Sequence, residues 1–225
     1  MSEAGALLAD AVAAVGYAVR GGPLAADLYR YKSDRVAPVA ADEAAVRLGQ
    51  ALRRFLARNG PGVWREAGMR AGPRAVAVVP SGQGRRGTHP LTRIVRSCVD
   101  LPLVRLTVQP AQIHRRGVTA GWVRVADRVT GADLLVVDDT WVSGGSAQSV
   151  TAALKRAGAR RVAIVVLGRH VNPADPRSER FLAALSPRGE AARHHHETIT
   201  GARKGECRAV RLADLHRTES DGVAQ

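Results

Sequence analysis

The stretch Leu134–Leu154, LLVVDDTWVSGGSAQSVTAAL, decides the fold. Its four leading residues, Leu134 to Val137, form a short apolar run of the kind found in a strand buried on both faces. Two adjacent carboxylates, Asp138 and Asp139, close the run. Ser143, Gly144, Gly145 and Ser146 follow as a turn, and Ser146 to Ala157 takes up a helical pattern that Gly158 stops. A second apolar run, Arg161 to Leu167 (RVAIVVL), then reads as another buried strand. Strand, turn, helix and strand in this order are the unit of a parallel sheet.

Outward from this unit the alternation continues. Ala40 to Arg58 places Ala44, Leu48, Leu52 and Phe55 at helical spacing, and Arg74 to Val79 (RAVAVV) is a strand bounded by prolines. His89 to Val99 fits a helix. Leu101 to Val108 and Trp122 to Ala126 fit strands, and Pro110 to Gly121 fits a long mobile loop. The expected fold is a single-domain α/β protein, a mostly parallel sheet flanked by helices, with a small hood or C-terminal appendage. Residues 1–60 are expected to be a helical segment packed on the core, 61–173 the α/β core, and 174–225 a loop-rich cap or tail.

The 225 residues are 45% hydrophobic and only 4% aromatic, which suits a core of Ala, Val and Leu. No apolar run is long enough to cross a bilayer, and the alanine-rich start carries Glu3 and Asp10 without a basic leader. The expectation is a cytoplasmic protein with no membrane partner. Cys98 and Cys207 are too few for a disulfide framework or a zinc ribbon. The net charge is +14, and of 34 basic residues only Lys32, Lys155 and Lys204 are lysines. Such a field attracts polyanions, either nucleic acid or a small substrate with several phosphates. The second is favoured, because no basic-aromatic stretch accompanies the charge.

In parallel sheets ligands bind beyond the carboxyl ends of the strands, where Asp138 and Asp139 fall. Glycines at 144 and 145 admit an anion to the backbone amides. The hydroxyls of Ser143 and Ser146 add donors, and the helix start adds partial positive charge. That half suits a phosphate monoester. The carboxylates would repel phosphate but accept hydrogen bonds from hydroxyls. Ribose 5-phosphate satisfies both halves. Receiver domains and haloacid-dehalogenase-like phosphatases also end strands on paired acids, yet neither explains the SGGS turn. No GxxxxGK(S/T) loop and no GxGxxG after a strand is present.

Leu134 to Ser146 resembles the signature of type I phosphoribosyltransferases: four apolar residues, two acids, then a loop of hydroxyls and glycine. The resemblance implies that Asp138 and Asp139 hold the ribose hydroxyls of phosphoribosyl pyrophosphate and that Ser143, Gly144, Gly145 and Ser146 hold its 5-phosphate. Thr140 and Trp141 depart from the aliphatic residues usual there. Pro80 to Gly87 resembles the family's pyrophosphate loop, implying contacts from Ser81, Gly82, Arg85 and Arg86. Arg115 and Arg116 match the basic residues of its flexible, closing loop. Leu28 to Asp34 (LYRYKSD) resembles the "YK" segment of competence-type homologues, whose N-terminal zinc ribbon is lacking in this chain.

The reaction so implied is displacement of pyrophosphate from the anomeric carbon by a base nitrogen. Mg²⁺ would be held through the substrate, with Asp138 and Asp139 reaching it only through water. The acceptor is open. Hypoxanthine-guanine enzymes carry an acid where this chain has Val142, which counts against ordinary 6-oxopurine salvage. The expected loop Gly168 to Pro173 puts Arg169 and His170 forward as acceptor contacts. His194 to His196 reads as an exposed polar run, because neighbouring side chains diverge. Asp10, Glu43 and Asp214 have no evident partner. The competing reading is a non-catalytic module that senses phosphoribosyl pyrophosphate or nucleotides and binds nucleic acid or a protein. A subunit completed by a partner protein is a third reading, and a homodimer is an open expectation.

Overall fold

The structure is a computed structural model that describes residues 7–81, 89–109, 117–119, 121–175 and 178. Four strands, β1 (Ala11–Val19), β2 (Ala75–Val78), β5 (Asp133–Trp141) and β6 (Arg161–Val171), form one sheet in the order β1-β6-β5-β2, and every pairing is parallel. Leu103 extends the β2 edge by a single parallel bridge to Val76. Helices α1 (Pro23–Arg30), α2 (Pro38–Glu66), α3 (Pro90–Cys98) and α4 (Gly145–Arg156) cover the faces. The expected α/β sandwich of a parallel sheet between helices is the observed one.

Alternate residues of β5 serve two separate cores. Leu135 and Val137 pack with Leu48 and Leu52 of α2 and with Leu91 and Val95 of α3. Leu134 and Val136 pack with Val150 and Leu154 of α4. A strand covered on both sides must be apolar at every position, so LLVV carries no alternation. The same holds for β6, where Val162 to Val165 are fully buried.

Three expectations need correction. The N-terminal segment is not wholly helical, because residues 11–19 (AVAAVGYAV) are a sheet strand paired with β6 from Ala11↔Ala163 to Val19↔Val171. Alanine favours helix locally, but here its small side chains fit beneath α1 and α2, and tertiary pairing overrides propensity. Leu101 to Val108 is not one strand of the main sheet. Leu106–Val108 (β3) instead pairs antiparallel with Val123–Val125 (β4) in a separate two-stranded ribbon. Finally, Gly168 to Val171 is not loop but the last turnless stretch of β6, hydrogen-bonded to β1 on one side.

Helix α1 lies close to the sheet at Gly168. A Cβ added there would stand 2.4 Å from Leu28 Cδ1 and 3.0 Å from Ala18 Cβ. Only a glycine permits this approach. The expected cap at 174–225 lies outside the described residues except for positions 174, 175 and 178, as do Cys207, Asp214 and the His194–His196 run.

Candidate ribose-phosphate site

Strand β5 delivers Asp138 and Asp139 at its carboxyl end, after a run in which Leu134 to Val137 are at most 1% exposed. Side chains alternate across a strand, so the two carboxylates stand on opposite sides of its end. Asp138 follows the parity of the α4 core, and Asp139 that of the core under α1 and α2. The Asp139 amide donates 2.8 Å to Asp138 Oδ1, which ties the two together.

Their electrostatics differ sharply. Asp139 accepts hydrogen bonds on Oδ2 from the Tyr31 hydroxyl and, at 2.7 Å, from Lys32 Nζ. Burial pushes the Asp139 carboxyl up, but the Lys32 ammonium, aided by Tyr31 and Thr140, outweighs it and holds the group below the usual carboxylate range. Asp138 is only 9% exposed. Burial first, and then the neighbouring Asp139 charge, push its carboxyl up to about 7. One acid is thus firmly ionised, and the other takes up or releases a proton near neutrality.

The turn behind the acids is built by glycine geometry. Gly144 has φ +75° and is the N-cap of α4; a Cβ there would lie 2.2 Å from the buried Trp141 ring. Trp141 therefore packs under the turn, which explains the aromatic residue at that place. The N-cap residue has no side chain to cap α4. Among the described residues, the one side-chain contact at the first-turn amides of this helix is a long 3.5 Å hydrogen bond from the Gly145 amide to Ser143 Oγ. Its first amides face the turn, where Ser143 and Ser146 are exposed. Such a helix start carries partial positive charge and suits an anion.

The base of the long loop rests on the same helix start. The Thr119 amide donates to Ser149 Oγ at 2.8 Å, and the Ser149 hydroxyl donates to the Gly145 carbonyl at 2.7 Å. A Cβ on Gly145 would meet the Gly117 carbonyl oxygen at 2.8 Å. Arg115 and Arg116 lie outside the described residues. Ser81 leaves β2 beside the acids, because Val78 pairs with Val137. Gly82, Arg85 and Arg86 also lie outside the described residues. Arg169 and His170 are on β6, Arg169 paired with Tyr17 on β1 and with Trp141 on β5; Arg169 is half-buried and His170 exposed. Val142 is 72% exposed at the mouth of the turn.

Tyr31 and Lys32 are contributors that residue chemistry alone did not place, since more than 100 positions separate them from Asp139. Their only prior signal was the YK segment. Among the described residues no group of three His, Cys, Asp or Glu side chains could hold a metal. The paired carboxylates offer the oxygen donors that Mg²⁺ prefers, but not a cage, so they fit an ion carried chiefly by substrate oxygens. No helix among the described residues is long and apolar enough to cross a membrane.

No family model matches the chain, and no curated protein does. Among solved structures it is similar to a purine phosphoribosyltransferase from Pyrococcus horikoshii Ot3, at 17% identity over 62% of this chain and 91% of that one, with a TM-score of 0.35. It is also similar to a hypoxanthine phosphoribosyltransferase from Staphylococcus aureus, at 13% identity over 57% and 76% of the two chains, TM-score 0.37. A third likeness is to the orotate phosphoribosyltransferase of Mycobacterium tuberculosis H37Rv in complex with 5-phospho-alpha-D-ribosyl 1-diphosphate, at 20% identity over 67% and 89%, TM-score 0.36.

Proposed function

We propose that the protein is a phosphoribosyltransferase: it binds phosphoribosyl pyrophosphate and transfers the ribose 5-phosphate to a nitrogenous acceptor, releasing pyrophosphate. The observation that carries this reading is the junction of β5 and α4, where two unlike carboxylates stand directly ahead of a glycine-built helix start. Asp139, ionised, accepts a hydrogen bond from one ribose hydroxyl. Asp138, titrating near neutrality, accepts or donates one to the other. Ser143 to Ser146 present hydroxyls and amides to the 5-phosphate.

Held at both ends, the sugar has its anomeric carbon fixed relative to an incoming base, which supplies the entropic part of catalysis. The carboxylate charge also favours the cationic character that develops in the ring as the pyrophosphate departs. Mg²⁺, when bound with the donor, supplies neutralisation of the leaving pyrophosphate. Ser81, Gly82, Arg85 and Arg86 are assigned to the pyrophosphate, and Arg115 and Arg116 to closure over it. Arg169 and His170 are assigned to the acceptor.

Calorimetry with phosphoribosyl pyrophosphate and Mg²⁺ tests the donor site, and pyrophosphate release across a panel of purines and pyrimidines tests turnover. Absence of any heat of binding refutes the reading. The net charge of +14 favours one second reading, a sensor that uses the same pocket to control nucleic-acid binding. Salt-dependent binding of DNA or RNA, altered by the donor and without turnover, would select it.

A further inference from the structure

Among the described residues, four carboxylates are gripped through both oxygens. Arg47 forks onto Asp27, Arg160 onto Asp133, Arg105 holds Asp127, and Lys155 and Arg161 divide the two oxygens of Asp10. Asp139 is held differently: Tyr31 and Lys32 converge on the single oxygen Oδ2, and its remaining side-chain donor is the neighbouring Thr140 hydroxyl, not a second cation. The cation here is also one of only three lysines among 34 basic residues. A guanidinium fork spans both oxygens of a carboxylate, whereas an ammonium is a point charge that engages one. Lys32 is 38% exposed along its side chain, so it stands at the mouth of the site and not beneath it.

We infer that Tyr31 and Lys32 are positioning residues that pin Asp139 by one oxygen so that the carboxylate turns its other edge to a ribose hydroxyl, which makes the end of α1 the element that distinguishes ribose from deoxyribose phosphates. The inference rests on the reading of the site as a ribose 5-phosphate pocket and adds a specificity element to it. A purely structural ion pair would be indifferent to the sugar and would be served equally well by arginine.

The test is calorimetric titration of the full chain with three probes: ribose 5-phosphate and its 2-deoxy and 3-deoxy analogues. The wild type is expected to bind ribose 5-phosphate about tenfold or more tightly than at least one analogue, the scale of one hydrogen bond to a charged acceptor. Lys32→Met and Lys32→Arg should each reduce that ratio to below about threefold by weakening ribose 5-phosphate and leaving the disfavoured analogue nearly unchanged. Tyr31→Phe, which keeps the buried ring and removes only the hydroxyl, should give an intermediate ratio and is the second variant should either exchange at 32 disturb folding. In an Asp139→Asn background the Lys32→Met exchange should have no further effect on the ratio. A Lys32→Arg or Lys32→Met protein that keeps the wild-type ratio overturns this inference alone. A wild type that binds none of the three sugars overturns the donor-site reading as well.

Discussion

Strand β5 has an acid at its start and two at its end, and the two ends treat them in opposite ways. At the start, Asp133 is 3% exposed, and Arg160 grips it through both oxygens at 2.9 and 2.5 Å. Nearby, Asp10 accepts from Lys155, Arg161 and the Val162 amide. Each negative charge there meets at least one cation and a full set of donors. At the far end, among the described residues, Asp138 and Asp139 share the ammonium of Lys32. Acids that serve the fold are neutralised one by one, whereas the acids beside the glycine turn have two charges to one described cation, a condition that a ligand's hydroxyls or a metal can relieve.

The strongest way to break this contrast is to remove charge where it is in excess. Asp138→Asn with Asp139→Asn should lower affinity for phosphoribosyl pyrophosphate by more than about 100-fold in calorimetry, the loss of two hydrogen bonds to charged acceptors, without lowering the melting temperature. Gly144→Ala should destabilise the fold by about 3 kcal/mol in urea titration, since a positive φ and contact with the Trp141 ring both oppose a side chain. Arg160→Ala at the other end should do the reverse of the double exchange. It leaves Asp133 buried and unpaired, which should lower the urea midpoint of unfolding, and leaves donor affinity within about twofold.

A pH series sharpens the same comparison. Because the folded carboxyl of Asp138 sits near 7 and the unfolded one near the ordinary value of about 4, the native state holds the extra proton between those limits. Its contribution is therefore present below about pH 4 and is lost as pH rises towards 7. Asp138→Asn should match the wild type in stability at pH 4 and exceed it at pH 8 by up to about 4 kcal/mol, a gap of about three pH units at about 1.4 kcal/mol each, measured by urea unfolding. The smallest expected effect is that of Ser146→Ala. Loss of one exposed donor should weaken ribose 5-phosphate about threefold and leave the melting temperature unchanged.

Much of this architecture was legible because β5, α4 and β6 are contiguous, and their apolar runs announce burial on both faces without reference to distant partners. The acids and the glycine turn were legible for the same reason, all of them falling between Asp138 and Ser146. Strand β1 was not, since the four alanines of AVAAVGYAV dilute its β-branched pattern, and its place in the sheet is fixed by its pairing with β6. The continuation of β6 through Arg169 and His170 was hidden by that same pairing. The unlike protonation of the two acids could not be read either, because it depends on Lys32, which the fold brings from a helix end far away in sequence.

The hydrogen atom that serves as the side chain of Gly168 has a consequence for the opposite side of β5's end. Leu28 descends into the space it leaves, and the four residues from Leu28 to Tyr31 run through the last turn of the helix to its C-cap, beside the clamp. The altitude of that helix above the strands, and with it the reach of an ammonium to a carboxylate one strand away, is set by a missing methyl group. Even alanine at 168 would act as a shim, lifting the lysine from Asp139 without touching either acid.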